Sequence, residues 1–105
     1  MWSVEYLSSA AQEEAELPVD MQARLARMIQ VIEAHGLQNL PRDWSKPLGH
    51  GLWELRITGK DGIARAIYVT VTGQRVVIVR VFVKKSQKTP HRELELARQR
   101  VKEVR

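Results

Sequence analysis

The chain has 105 residues, 17 Lys/Arg against 12 Asp/Glu for a net charge of +5, and no cysteine. That length predicts one domain able to bury roughly two-thirds of its unfolded surface, and the missing cysteines exclude disulfides, thiolate zinc sites and cysteine nucleophiles together. Its apolar runs are too short for a bilayer and Met1-Trp2-Ser3-Val4-Glu5 lacks a signal-peptide pattern, so a soluble cytoplasmic protein without a membrane partner is expected.

Trp2, Val4 and Tyr6 or Leu7 alternate with Ser3 and Glu5, which predicts a half-buried strand over 2–7. Ser9-Ala10-Ala11-Gln12 has the form of a capping box and opens a short helix ending near Leu17-Pro18. A second helix is expected from Pro18 to Gly36, with Met21, Leu25, Met28, Ile29 and Ile32 on its apolar stripe. The methionines of that stripe read as core packing, and His35 as a cation near the helix end. Residues 37–51 hold two prolines and two glycines without periodicity, and read as a connecting loop from which Leu40, Trp44 and Leu48 tuck onto the core.

Three strands follow, at about 52–58, 63–72 and 75–83, joined by turns short enough for antiparallel hairpins. The last is almost wholly β-branched, as a strand covered on both faces would be. A final helix begins at Thr89-Pro90 with Thr89 as its expected N-cap, and carries Leu94, Ala97 and Val101 on one side. The expected fold is α+β in the order β-α-α-β-β-β-α: a mostly antiparallel four-stranded sheet with a helical hairpin packed on one face.

Charge is unevenly spread along this order. Residues 1–52 hold 4 Lys/Arg against 7 Asp/Glu, a net −3, and residues 53–105 hold 13 against 5, a net +8. A basic half on a small domain is the electrostatic footprint of a polyanion, nucleic acid first among them; a solvated basic surface is the plain alternative.

Within that half, Phe82-Val83-Lys84-Lys85-Ser86-Gln87-Lys88-Thr89-Pro90 sets three lysines at the exit of a buried strand, where rigid backbone can aim them. Arg56, Arg65 and Arg80 lie inside strands. Burying a guanidinium alone is costly, so each must pair with a carboxylate or face a groove. For Arg56 and Arg65 an anion site and an internal salt bridge with Glu54 or Asp61 stand as equals. Period-2 alternation puts Glu54 with Arg56 on one face, and Ile78, Arg80, Phe82 and Lys84 on one face of the last strand.

Ribonucleolysis by attack of a 2′-hydroxyl needs a base for its proton, an acid for the leaving 5′-oxygen and cations on the crowded phosphorus. Of His35, His50 and His91, only His91 lies beside the lysines. Metal-ligand spacings and a phosphate-binding Gly-rich loop are missing from the sequence, so no cofactor is expected and catalysis would rest on Lys and Arg.

Gly51-Leu52-Trp53-Glu54-Leu55-Arg56, Arg65 ahead of Ile67-Tyr68, the Phe82 to Pro90 segment and Glu93 to Arg100 resemble the phage-derived Gp49-like branch of the RelE/HigB toxin family, across nearly the whole chain. The resemblance implies the toxin of a type II toxin–antitoxin pair. Its activity would be that of a metal-independent, ribosome-dependent endoribonuclease, an mRNA interferase, and a small cognate antitoxin, commonly of helix-turn-helix type, would cover its basic groove in a hetero-oligomer. It implies Arg56, Arg65, Lys84, Lys85 and, less directly, His91 as catalytic, with Lys88 adjacent; together with Arg80 and Phe82 of the strand face and Arg92, Lys88 is expected to bind RNA. Some relatives place a tyrosine or histidine in the C-terminal segment; here no tyrosine follows Tyr68, and that segment reads Lys88-Thr89-Pro90-His91. A ParE-like gyrase inhibitor of the same fold and a non-catalytic basic RNA- or protein-binding module are the alternatives. The nuclease expectation requires cations from separate strands to meet in one open hollow; Arg65 sealed against a carboxylate, together with Lys84 and Lys85 splayed apart on unrelated surfaces, would overturn it.

Overall fold

The computed structural model describes residues 1–85 and 88–105. In chain order these form β1 (Ser3–Tyr6), α1 (Ser8–Ala15), α2 (Val19–His35), two short 3-10 turns (Leu37–Asn39 and Arg42–Trp44), β2 (Ser45–Gly49), β3 (Leu52–Gly59), β4 (Gly62–Val71), β5 (Arg75–Lys84) and α3 (His91–Val101). The sheet order is β1-β5-β4-β3-β2, with β1 parallel to β5 and the other pairs antiparallel.

The expected architecture holds with one addition. The sheet has five strands, because Ser45–Gly49 pairs with β3 where a loop was expected. Pro47 hides this strand from a propensity reading, yet proline is admissible on an edge, where its missing N–H faces away from the ladder. The same proline and a register shift between Pro47 and Gly49 blunt that edge against pairing with other chains.

The helical hairpin packs on one face. Met21, Leu25, Met28 and Ile32 meet Leu55, Ile57, Ala64, Ala66, Tyr68, Val76 and Ile78 in the main core. A smaller core on the opposite face joins Leu52, Ile67, Val69, Val77, Val79 and Phe82 to Ala97 of α3, with Leu94 and Val101 packed around it. The helix starts differ from expectation. Ser9 does not cap: α1 begins at Ser8 after Leu7. Pro18 precedes α2 as its N-cap, and Pro90 rather than Thr89 caps α3, with no capping side-chain bond at any of the three. Thr89 has another partner, described below.

The pairing of β4 with β5 shifts between Ile67↔Arg80 and Tyr68↔Ile78, so Val79 is an extra residue in β5. Strict alternation therefore fails. Ile78 belongs to the hairpin-side core, whereas Phe82 belongs to the α3 side, and the expected single row Ile78, Arg80, Phe82, Lys84 is broken after its first member. β1 also stops at Tyr6↔Ile78, which leaves the following stretch of β5 without a neighbour on that side.

Side chains take over there. The Val81 N–H donates to Glu13 Oε1 (3.1 Å), and Arg100 Nη1 donates to the Val79 carbonyl (2.9 Å). Arg100 also grips both Glu13 oxygens (2.9 and 2.8 Å), while Arg80 bonds Glu13 (2.6 Å) and both oxygens of Glu93 (2.6 and 3.1 Å). Burial alone would raise the Glu13 carboxyl, but the bonds from Arg100 and Val81 and the charge of Arg80 hold it below the usual carboxylate range. This network ties α1, β5 and α3 together. Glu13→Ala would strip two guanidiniums and a backbone N–H of their shared acceptor, at a cost of about 2–4 kcal/mol. Urea unfolding with an unchanged m-value checks it, and a loss below about 0.5 kcal/mol, the range of an ordinary surface change, would show that the network holds nothing.

Candidate functional site

Cross-strand register assembles the site on the α3 side of the sheet. Arg56 stands opposite Arg65, and Arg65 opposite Phe82; one pair further along, Thr58 faces Ile63 and Ile63 faces Lys84. On the preceding row Glu54 faces Ile67, which faces Arg80. Four strand-borne cations and one carboxylate thus share one sheet face, with Lys46 of β2 paired opposite Glu54.

Glu54 is the organising group. Fully buried, it accepts a short hydrogen bond from Arg65 Nη1, another from the Thr89 hydroxyl (2.7 Å), and has the Lys46 ammonium at 3.7 Å. Thr89 is thereby spent on fastening the segment after β5 to β3. Arg65 is itself buried at 3% exposure; of the two readings weighed for it, the internal pair with Glu54 is the one that occurs, and it does not stand open as a phosphate clamp. Its Nε nonetheless has no hydrogen-bond partner among the described residues.

Lys84 lies alongside. It is 9% exposed, and its buried Nζ is likewise without a hydrogen-bond partner among the described residues. Burial pushes this ammonium's pKa down, and the positive charges of Arg65, Lys46 and Arg56 push the same way against the attraction of Glu54. Burial also lowers the pKa of Arg65, helped by Arg56 and opposed by Glu54. Two buried cationic N–H groups facing no acceptor among the described residues are an unusual expense for so small a protein.

Beside them is a cleft of 230 Å³ lined by Arg42, Asp43, Ser45, Lys46, Glu54, Arg56 and Arg65, behind whose wall Lys84 is buried. Arg56 is exposed at its rim, without an ion pair among the described residues. Beyond Lys46 a second, shallower cleft of 490 Å³ runs past Pro47, Leu48, Lys88, Thr89, His91 and Leu94. Lys46 borders both, so the basic surface is continuous from Arg56 to His91.

The residues singled out in the sequence divide accordingly. Arg56, Arg65 and Lys84 come together. Lys85 is exposed while Lys84 is buried, so the two neighbouring lysines sit in different environments. Lys88 and His91 border the second cleft; His91 is exposed, with Glu95 at 3.5 Å one helical turn on, and Arg92 is exposed on the first turn of α3. Ser86 and Gln87, inside the Phe82 to Pro90 motif, lie outside the described residues. Arg80 and Phe82 depart from the expectation of RNA contacts: the Arg80 guanidinium is held by Glu13 and Glu93 and lies 5.5 Å over the Phe82 ring, which is itself buried. Charge and ring face are both spent inside the protein.

Sequence reading missed Arg42 and Lys46. Both sit in the segment taken for a loop, and the one signal that could have found them was the lysine directly before an edge-compatible proline. Among the described residues no group of three or more His, Cys, Asp or Glu is placed to hold a metal ion, and no helix is long and apolar enough to cross a membrane.

Residues 12–102 match the family model described as phage derived protein Gp49-like (DUF891). No curated protein sequence matches. Among solved structures, the chain is similar to an E. coli toxin RelE mutant in the free state, at TM-score 0.61 and 12% identity over 99% of this chain and 98% of that one. The isolated E. coli RelE toxin matches at TM-score 0.57 and 13% identity, with full coverage of both chains. The toxin–antitoxin complex RelBE2 of Mycobacterium tuberculosis matches at TM-score 0.52 and 22% identity, over 81% of this chain and 93% of that one. These likenesses give the chain the RelE fold.

Proposed function

Because the chain belongs to the phage-derived Gp49-like family, we propose that it is the toxin of a type II toxin–antitoxin pair, an endoribonuclease of HigB type that cuts mRNA on the translating ribosome in the cytoplasm. A small cognate antitoxin of helix-turn-helix type would occupy the basic clefts and hold the toxin silent. The neighbouring toxins of the same fold come from RelBE complexes, which supports a partner of this kind.

The observation that carries the proposal is the pair of buried donors, Arg65 Nε and Lys84 Nζ, that find no acceptor among the described residues, beside the exposed Arg56. In this reading a scissile phosphate enters the 230 Å³ cleft with Arg56 on one non-bridging oxygen. Arg65, held by Glu54 in the cleft wall, adds its positive charge from behind without touching the phosphate. Lys84 takes the proton of the attacking 2′-hydroxyl, a task that a lysine with depressed pKa performs better than an ordinary one. The 2′-oxygen bonds to phosphorus as the 5′-oxygen leaves, giving a cyclic 2′,3′-phosphate and a 5′-hydroxyl. His91 or Lys85, on the solvent side, returns a proton to the leaving oxygen. No step calls for a metal ion.

Purified protein added to programmed ribosomes should yield transcripts with new 5′-hydroxyl ends, mapped by primer extension. Arg56→Ala should slow that cleavage about 10²–10³-fold, the usual effect of removing one donor from a charged transition state. Arrested translation with intact messages would overturn the nuclease reading. The sealing of Arg65 and Arg80 by carboxylates favours one second reading, a non-catalytic module that binds RNA through its remaining cations. That reading predicts salt-sensitive RNA binding without new transcript ends.

A further inference from the structure

On the other side of the β2–β3 edge, past the end of α2, lies the cleft that the ribonuclease reading leaves unused. It measures 420 Å³, within the usual range of small-ligand pockets, and its walls include the indoles of Trp2 and Trp53 with Leu37, Leu40 and Pro41. The neighbours of Trp53 on the same side of β3, Leu55 and Ile57, are fully buried, while Trp53 is 39% exposed. An indole left half in water on an otherwise buried strand face is a surface waiting for a flat partner.

Two features say what kind of partner. The lining holds one charged residue, the cation Arg42, and no carboxylate. Arg42 and Ser45 line this cleft and the basic cleft alike, so the two meet around the edge strand. An occupant that joins a flat ring to a phosphate fits both halves. Polar recognition groups are also in place. Ser45 Oγ and Tyr68 Oη are 2.7 Å apart at the cleft wall. Gln38 is seated against Gly36, whose φ of +89° a side chain rarely adopts and where a Cβ would meet Gln38 Oε1 at 2.9 Å. Its amide offers a donor and an acceptor side by side, the pattern that reads a base edge.

We propose that this aromatic cleft takes an unstacked base of the RNA, from a nucleotide flanking the phosphate held in the basic cleft, and so sets the base preference of cleavage. The inference rests on the ribonuclease reading. Stacking on the indoles supplies affinity, Gln38 supplies discrimination, and Arg42 bridges the nucleotide's own phosphate.

The test is a fluorescence titration of the intact protein with AMP, GMP, CMP and UMP, run beside the ribosome cleavage assay. Saturable quenching is expected. Trp53→Ala should weaken it about tenfold or more, Trp53→Phe should retain it, and Gln38→Ala should flatten the difference between bases. Thermal unfolding of each variant separates a lost site from a lost fold. If the wild type cleaves messages while no mononucleotide quenches and Trp53→Ala keeps the same base preference, the inference fails and the nuclease reading stands. If nucleotides quench and nothing is cleaved, the base site stands and the nuclease reading fails. Trp53→Ala that weakens only the complex with the antitoxin would overturn the inference in favour of a protein side chain as the occupant.

Discussion

Glu54→Ala is expected to cost about 3–5 kcal/mol of folding stability, because it removes the acceptor of a buried guanidinium and leaves Arg65 as an uncompensated charge beside the cations Arg56 and Lys84. Thr89 loses its partner in the same stroke, so the chain between β5 and α3 should open to proteolysis before the rest unfolds. The asymmetry of buried pairs gives a sharper form of the test. Replacing both members with apolar residues of similar volume, Glu54→Leu with Arg65→Met, should recover most of the loss, yet the double variant should be inactive. Urea unfolding of the two single variants and the double variant reads this as a coupling energy. A Glu54→Ala protein within about 1 kcal/mol of the parent, no more than an average point substitution, would show that Arg65 finds another acceptor, and the account of the hollow would need rebuilding around it.

Lys84→Met should move activity and stability in opposite directions. Cleavage on the ribosome should fall about 10²–10³-fold or more if the amine carries the proton. The midpoint of thermal unfolding should rise by about 2–6 °C, roughly 1 kcal/mol for a domain of this size, since a buried ammonium with no hydrogen-bond acceptor among the described residues gives way to a thioether. The pH dependence has a definite sign. Burial and the neighbouring cations lower the Lys84 pKa in the folded state from the ordinary 10.5. Between the lowered value and 10.5 the unfolded chain binds the extra proton, so stability rises with pH across that window and is penalised below it. Lys84→Met should abolish this rise. Cleavage by the parent should climb with pH and level off below the ordinary lysine range. A Met variant that is less stable than the parent, or as active, would remove Lys84 from its proposed role.

Much of the fold was legible because its apolar residues obey simple periods. The stripe of α2 and the β-branched run of β5 could each bury themselves in one way, and Gly36 stops its helix as a positive φ demands. What escaped the sequence were features fixed by neighbours. β2 exists because β3 offers it a ladder, against the local signal of Pro47. The capping roles given to Ser9 and Thr89 rested on residue type alone, and tertiary partners decided otherwise: Thr89 serves Glu54 instead of a helix end. For the site, the residue types were readable and the partners were not. Arg56, Arg65 and Arg80 look alike in sequence, each a cation inside a strand. Register alone separates the exposed Arg56 from Arg65 over Glu54 and from Arg80 between two glutamates contributed by distant helices.

The supernumerary Val79 has a further consequence for how this chain can vary. Side chains beyond it are out of phase with those before it, and the second half of β5 keeps its orientation through its own pairing with β4. Losing Val79 itself would restore regular alternation, with Ile78 still opposite Tyr68 and Arg80 still opposite Ile67, whereas losing a residue between Arg80 and Lys84 would turn the Lys84 amine over to the hairpin side. The loop tip at 72–74 tolerates insertions that this span cannot. Homologous chains should therefore differ in length at the tip or at the bulge and agree in length from 80 to 84, even where their residues there differ.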